Sequence, residues 1–311
     1  MRIIPFNTPY PARLSLALGF FDCAHAGHRA ILKSAADFAR ETGAETAAFT
    51  FDNDPFRVLG RNTKLIYTFP ERVGIFEECG VAATLAAGFS EAFMRLSSAA
   101  FLEALTRNCD IAALSCGSDY TYGFGGGGDA ASLETFCARH GIKFCAVPDV
   151  KIDGTRVSST AVRGFLTAGD IGAANRFLGA PYAARGRVEH GRGVGHRISY
   201  PTVNLSFSEE KLRPKDGVYA TRTVVGGRAY ASITNAGGKP TFGVDSYGIE
   251  TFIIDYNKDI YGKEVKTEFL AYMRPIRKFD GPEALRAQLD ADVRDRKEMK
   301  TFVCKIRSKT K

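Results

Sequence analysis

The sequence predicts a doubly wound α/β unit with a parallel sheet, followed by a small antiparallel β-barrel with a C-terminal helix. Three observations carry this expectation. At 311 residues the chain exceeds what one hydrophobic core usually organises, so two domains are expected. Short apolar runs alternate with helical patterns through the first half. Beyond Gly179-Ala180-Pro181 the texture changes to short alternating segments separated by Gly, Asn, Asp and Pro turns.

The runs Leu14–Phe21, Thr46–Phe51, Thr84–Ala87, Ile111–Cys116 and Phe144–Val147 read as strands. Between the first two, His28–Ala39 brings Ile31, Leu32, Ala35, Phe38 and Ala39 onto one face at helical spacing. Strands separated by helices pair in parallel, and ligands of such sheets bind just beyond the carboxyl ends of the strands. Helices are expected over Ser159–Leu166 and Ile171–Leu178, with a domain boundary after Pro181 that divides the chain into 1–181 and 182–311. In the second part Val218–Thr223, Ala229–Thr234, Glu250–Tyr256 and Val265–Leu270 read as barrel strands. A helix from Pro282 to Arg296 carries Leu285, Leu289 and Val293 four residues apart, a stripe expected to seal one side of the barrel.

The 42 Lys and Arg against 34 Asp and Glu give a formal charge of +8, which suits anionic partners. Nucleic acid is not expected among them. There is no zinc-finger spacing, no aromatic RNA-binding signature and no basic run beyond Lys305, Arg307, Lys309 and Lys311. No stretch approaches the ~20 apolar residues of a membrane span, so no membrane partner is expected. Arg13, the apolar run Leu14–Phe21 and Ala24-His25-Ala26 imitate a signal peptide, but Asp22 ends the run after eight residues. Seven cysteines, odd in number and without a CxxC pair, read as reduced thiols of a cytoplasmic protein.

After the first strand the chain reads Gly19-Phe20-Phe21-Asp22-Cys23-Ala24-His25-Ala26-Gly27-His28, with a helix starting near Gly27. His25 and His28 share one face at that helix start, where free backbone N–H groups and the macrodipole favour a polyphosphate. Gly27 leaves room for a nucleotide to approach the backbone. Structural histidines produce the same spacing. A second stretch, Val157 to Arg163, sets Ser158, Ser159 and Thr160 at a helix start and Arg163 one turn later. That pattern suits either phosphate or an ordinary capped helix.

From Gly186 to Leu205, glycines and cations alternate before a proline turn. Backbone N–H groups at Gly191, Gly193 and Gly195, beside His196, can wrap phosphate oxygens. Thr202 and Asn204, two apart on an extended segment, point oxygens the same way toward a magnesium ion. A glycine-rich hairpin with a polar face is the alternative reading.

His25-Ala26-Gly27-His28 resembles the HxGH motif of nucleotidyltransferases, and Val157 to Arg163 resembles the (I/V)SST-x-x-R element of their FAD synthetase branch. Thr50 to Pro55 and Gly117 to Gly123 agree with that branch. Pro201-Thr202-Val203-Asn204 resembles the PTAN motif of riboflavin kinases. Asp216 to Tyr219, Pro240-Thr241-Phe242, Glu250, Asp259 to Gly262, Arg274 and Phe279 follow in that family's order. The chain is therefore similar to the bifunctional riboflavin kinase/FAD synthetases over about Leu14 to Arg294.

This resemblance implies a Rossmann-like nucleotidyltransferase domain followed by a kinase barrel. It also implies phosphorylation of riboflavin to FMN, adenylylation of FMN to FAD with release of pyrophosphate, ATP as co-substrate and Mg2+ as cofactor. His25 and His28 would stabilise the α-phosphate and leaving group. Gly19, Phe21, Asp22, Gly27, Ser158, Ser159, Thr160 and Arg163 would hold ATP, and Asp119 the flavin. In the kinase half Glu250 would take the proton from the riboflavin 5′-hydroxyl, with Gly191, Gly193, Gly195, His196 and Pro201 on ATP. Thr202 and Asn204 would hold the metal, and Arg274 and Phe279 the flavin. A monomer or weak homo-oligomer is expected.

Four departures stand against the family pattern. Phe20 and Cys23 frame a segment where the family commonly has Asn-Phe-Asp-Gly, Asp54 stands where His commonly precedes the proline, and Ser199 stands where Gly is usual. The departures in the first half motivate an alternative, a kinase whose first domain has become inactive or regulatory. A basic RNA-binding module on a nucleotidyltransferase-like scaffold is a third reading.

Overall fold

The computed structural model describes residues 1–189, 200–238 and 247–299. These form two compact units, one of Met1–Ser159 with Glu210–Leu212 and one of the remaining described chain.

The first unit contains β1 (Arg2–Pro5), β2 (Tyr10–Leu18), α1 (Ala26–Thr42), β3 (Glu45–Phe51), α2 (Pro55–Val58), α3 (Phe69–Glu78) and β4 (Ala83–Ala87). There follow α4 (Glu91–Met94), α5 (Ser98–Asn108), β5 (Cys109–Gly117), the short pair β6 (Thr121–Tyr122) and β7 (Gly128–Asp129), and α6 (Ala130–His140). β8 (Lys143–Val147) and a second short pair, β9 (Lys151–Ile152) and β10 (Thr155–Arg156), complete it. Six strands form one parallel sheet in the order β1-β4-β3-β2-β5-β8. The chain first builds outward from β2 through β3 and then resumes on its other side with β5. That switch point opens a crevice beyond Leu18 and Gly117, where ligands of such sheets bind.

Alternation along β2 decides what packs on each face. Leu14, Leu16 and Leu18 join Phe49, Leu85, Phe101, Leu105 and Leu114 on one side. Ala17 joins Ile31, Leu32 and Ala35 of α1 on the other. The small residues facing α1 allow close approach, so Ser15 Oγ donates to the Ala35 carbonyl at 2.7 Å and the Ser34 and Ser115 hydroxyls lie 3.0 Å apart. α1 ends at Gly43, whose left-handed φ of 67° and N–H to the Ala39 carbonyl form the C-cap.

The strand expected over Leu14–Phe21 is β2, which starts earlier, at Tyr10, and ends earlier than that run. It stops at Leu18 because Phe21 takes a φ of 55°, incompatible with extended pairing. Residues 210–212 are built into this unit: Leu65 N–H donates to the Glu210 carbonyl at 2.8 Å, Leu212 N–H donates to the Leu65 carbonyl at 2.6 Å, and buried Lys211 pairs with buried Glu71.

The second unit comprises α7 (Ser159–Ala168), α8 (Ile171–Leu178), β11 (Ala183–Glu189), β12 (Thr202–Ser206), β13 (Gly217–Val225), β14 (Arg228–Gly238), β15 (Tyr247–Ile253), β16 (Glu264–Arg274) and α9 (Pro282–Glu298). Its strands close into an antiparallel barrel in the order β11-β12-β15-β14-β13-β16, with β11 pairing back to β16. Closure removes the sheet edges. The contacts group α7 beyond Ser159, and all of α8, with the barrel rather than with the sheet. Asn175 is one reason, since its side chain donates to the Phe269 carbonyl at 2.9 Å and accepts from Tyr182 N–H at 2.7 Å.

Inside the barrel runs a chain of buried hydroxyls. Thr221 lies 2.8 Å from both Ser232 and Thr234, Thr234 lies 2.8 Å from Thr251, and Thr223 lies 2.8 Å from Ser232. All five are fully buried. Each hydroxyl can donate one bond and accept others, so the chain satisfies groups that would otherwise be costly to bury.

The expected apolar seal of α9 is corrected by its packing. Leu285, Leu289 and Val293 are only partly buried, while Asp292 and Arg296 are the buried residues of the helix. Arg296 donates through Nε and Nη2 to the Thr221 carbonyl at 3.0 and 2.9 Å, and Val293 packs with Val218, Ile233, Ile254 and Phe252. A guanidinium that satisfies a barrel carbonyl is better placed against β13 than a leucine would be.

Candidate active sites

The turn between β2 and α1 is the most constrained segment of the first unit. Phe21 and Ala24 both adopt left-handed φ values, 55° and 44°, which cost energy in non-glycine residues and need support from the surroundings. That support is visible. The Phe21 ring is fully buried, edge-on to His28 at 5.3 Å and to Phe76 at 5.4 Å. Asp22 accepts from Ile66 N–H through Oδ1 at 3.0 Å and from Tyr67 N–H through its carbonyl at 3.1 Å. Gly19 carries no side chain because a Cβ there would lie 2.9 Å from the Phe21 ring.

This turn delivers His25 as the N-cap of α1, its Nδ1 accepting from His28 N–H at 3.1 Å. The two imidazoles stack with centroids 3.7 Å apart and planes 7° apart. Gly27 belongs to the arrangement, since a Cβ there would crowd His25 at 3.1 Å. Burial pushes the His25 pKa down to about 4. His28 is also held well below the ordinary imidazole value, first by burial and then by the charges of His25 and Arg72. The pair is therefore neutral at pH 7, and His28 Nδ1 is buried without a hydrogen-bond partner.

The histidines border a cleft of about 870 Å³, within the range of small-molecule sites. Gly19, Gly27, Asp119, Ser158 and Ser159 also line it. Its walls are strongly aromatic, with Phe20, Phe51, Phe89, Phe93, Tyr120 and Phe124. Phe21 and Asp22 do not line it; they hold the turn from beneath. Asp119 is ion-paired to Arg156, whose Nε lies 2.9 Å from Asp149. Thr160 and Arg163 stand in the first turns of α7, Thr160 exposed and Arg163 half-buried.

Two cations here escaped sequence reasoning. Arg156 lines the cleft, and Arg72 is fully buried behind it. Arg72 donates to the Phe20 carbonyl at 2.8 Å, Thr50 Oγ1 at 2.6 Å and the Phe51 carbonyl at 2.8 Å, clamping the ends of two strands. Burial lowers its pKa to about 10, opposed by Asp22, Asp52 and Asp54, so it stays charged. Asp54 has its own local task, capping α2 through Phe56 N–H at 2.9 Å.

In the second unit, strand register brings three expected residues together. Asn204 of β12 sits directly opposite Glu250 of β15, and Thr202 follows two residues along the same face. Asn235 flanks Glu250 from β14. Asn204 is buried and Glu250 half-buried. Pro201 precedes β12 and is exposed. Arg274 donates to both carboxylate oxygens of Asp292, with its guanidinium 6.0 Å from the Phe279 ring. Gly191, Gly193, Gly195, His196 and Ser199 lie outside the described residues, as do Pro240, Thr241 and Phe242.

A parallel α/β unit with paired histidines at the first helix, joined in one chain to a closed barrel bearing an Asn–Glu pair, is the architecture of a two-domain nucleotide-dependent transferase. Sequence comparison makes it specific. A family model described as FAD synthetase matches residues 8–161, and one described as riboflavin kinase matches residues 178–300. The bifunctional riboflavin kinase/FMN adenylyltransferase of Listeria monocytogenes is 34% identical over 90% of each chain. That of Bacillus subtilis is 32% identical over 90% of each chain, and that of Escherichia coli 28% identical over 89% of this chain and 90% of its own. The chain belongs to the bifunctional riboflavin kinase/FMN adenylyltransferase family. A crystal structure described as a macrolide-efflux protein from Streptococcus pneumoniae matches with a TM-score of 0.85 and 28% identity, over 96% of this chain and all of that one. Among the described residues here, no helix is long and apolar enough to cross a membrane.

Proposed function

We propose that the barrel unit phosphorylates riboflavin to FMN and that the cleft of the first unit adenylylates FMN to FAD. The observation that carries the second step is the stacked His25–His28 pair at the N-terminus of α1, beyond the carboxyl end of β2. An oxygen of the FMN phosphate attacks the α-phosphorus of ATP, the bond to the β-phosphate oxygen breaks, and pyrophosphate leaves. No covalent nucleophile is required, so catalysis rests on positioning and charge neutralisation. Both imidazoles are held neutral by desolvation, and an arriving polyphosphate would add negative charge beside them, raising the pKa of both rings and turning them into strong donors. Ser159, Thr160 and Arg163 would hold the β- and γ-phosphates and Ser158 would also bind ATP, while the aromatic walls of the cleft would stack on the isoalloxazine. Both family matches favour this two-step reading over a kinase with a silent first domain.

In the barrel, Glu250 would accept the proton of the riboflavin 5′-hydroxyl as that oxygen attacks the γ-phosphorus of ATP. Thr202 and Asn204 offer hydroxyl and amide oxygens beside the Glu250 carboxylate, a donor set that suits Mg2+, which would neutralise phosphate charge there. Arg274 and Phe279 would bound the flavin. Residues 1–181 and 182–311 then form the two functional halves.

We read the protein as a cytoplasmic enzyme, monomeric or weakly associating, with no nucleic-acid partner. The six described cysteines are free thiols, which agrees with a reducing compartment. A chromatographic time course with purified protein, riboflavin, ATP and Mg2+ tests the two-step reading. FMN rising first and then giving way to FAD supports it; FMN accumulating without FAD contradicts it.

A further inference from the structure

Residues 210–212 stand beyond the boundary expected at Pro181, in the connection between β12 and β13, yet they belong to the first unit. Their partners there adjoin the contacts that hold the histidine turn. Leu65 N–H donates to the Glu210 carbonyl and Leu212 N–H to the Leu65 carbonyl, so both main-chain groups of Leu65 are taken by this segment. The next two residues, Ile66 and Tyr67, are those whose N–H groups bind Asp22. We propose that Lys211 is a positioning residue for adenylyl transfer: with Glu71 it fixes the Leu65–Tyr67 segment, which through Asp22 holds the turn that presents His25 and His28.

The connection between α2 and α3 needs such support. Residues 61–68 form no helix and no strand apart from the isolated bridge between Leu65 and Lys211. Leu65, Ile66 and Tyr67 are nonetheless buried, and buried main-chain groups outside regular structure depend on partners from elsewhere in the chain. Lys211 and Glu71 lock that support in place. Their side chains are 3% and 8% exposed and form an ion pair. Glu71 divides its oxygens, Oε1 to Lys211 and Oε2 to Thr68 N–H at 3.0 Å, so one carboxylate ties residues 210–212 to the start of α3. The Lys211 ammonium also lies 5.1 Å from the centre of the Tyr67 ring. A buried pair of this kind favours a single arrangement, because displacing either partner leaves the other charged and unpaired.

The turn is sensitive to its supports. Phe21 and Ala24 hold left-handed φ values on either side of Asp22 and Cys23, and such conformers persist only where the surroundings over-determine them. With Ile66 and Tyr67 displaced, Asp22 loses two of the bonds that fix it, and His25, the N-cap of α1, moves with the relaxing turn. A misplacement on the order of 1 Å in a site that works by positioning costs about 10²-fold in rate. The consequence for adenylyl transfer rests on the reading of His25 and His28 as polyphosphate ligands.

The test compares Lys211→Met and Lys211→Gln in the full chain with Leu105→Ala, a core truncation on the opposite face of the sheet from α1. The imidazole C–H proton resonances of His25 and His28, assigned by substitution, should move in both Lys211 variants and stay in place in Leu105→Ala. The kcat for FAD formation from FMN, per folded molecule, should fall about tenfold or more in Lys211→Met while FMN formation from riboflavin is unchanged. Leu105→Ala should keep both rates. If Lys211→Met does not fold, Lys211→Gln, which keeps a hydrogen-bond donor, carries the same comparison. Unmoved resonances in the folded Lys211 variants, or equal changes in Leu105→Ala, overturn the positioning role. Moved resonances with an undiminished kcat overturn the use of the histidine pair in adenylyl transfer. A wild-type chain that makes no FAD from FMN removes the reading of the cleft, and the resonances alone then decide whether Lys211 positions the turn.

Discussion

Arg274 and Asp292 form a bidentate ion pair, with Nε and Nη2 donating at 2.9 and 2.7 Å to the two carboxylate oxygens. Asp292 accepts in addition from Gln288 Nε2 at 2.7 Å. The pair ties the end of β16 to α9 and fixes the direction of a guanidinium assigned to riboflavin. Asp292→Ala leaves a mostly buried cation short of its partner, a loss on the order of 3 kcal/mol. Urea denaturation should show that loss, and the KM for riboflavin should rise while FAD formation from supplied FMN is unchanged.

Arg72 should matter to the other half. Arg72→Met removes three hydrogen bonds that hold the Phe20 carbonyl, Thr50 and the Phe51 carbonyl. The ends of β2 and β3 then lose their clamp, with a stability cost of about 2–3 kcal/mol. Adenylylation is expected to drop at least tenfold, and FMN formation is expected to hold. Initial rates of both steps on the same preparation check this.

The histidine pair sets a pH dependence for folding. Burial lowers the His25 pKa from 6.5 to about 4 in the folded state, so the unfolded chain takes up the proton first as pH falls. Stability is therefore complete above pH 6.5 and declines between about 6.5 and 4, by roughly 2 kcal/mol at pH 5. His28 acts in the same direction. Denaturation midpoints at pH 7.5 and 5 should separate in the wild type and lie closer together in His25→Asn, where His28 remains.

The hydroxyl chain in the barrel should behave as one unit. Thr234→Val leaves both Thr221 and Thr251 short of a partner, at a cost of about 1–3 kcal/mol. Adding Thr251→Val should cost less than the sum of the two single changes, because the second removes a group the first had already orphaned. A double-mutant cycle by chemical denaturation measures the difference.

These features mark where sequence reading works and where it stops. The strands of the first unit were legible because continuous apolar runs such as Thr46–Phe51 signal burial on both faces, and His25-Ala26-Gly27-His28 carried its own helix-start context. β1 was not legible, since four residues ending in Pro5 carry no usable period. Thr221, Thr223 and Thr234 read as a polar strand face. Barrel closure turns that face inward, and only the pairing of one hydroxyl with the next makes burial tolerable. Arg72, Arg156 and Asp292 were invisible for another reason: each is defined by partners remote in sequence or by carbonyls that carry no residue signature.

Two independent sites in one chain should separate cleanly under substitution. Glu250→Ala and His28→Ala, each verified as folded, should be given riboflavin with ATP and, separately, FMN with ATP. Glu250→Ala is expected to make no FMN yet convert supplied FMN to FAD, and His28→Ala to make FMN and stop there. Loss of both activities in either folded variant would contradict the assignment of one step to each unit.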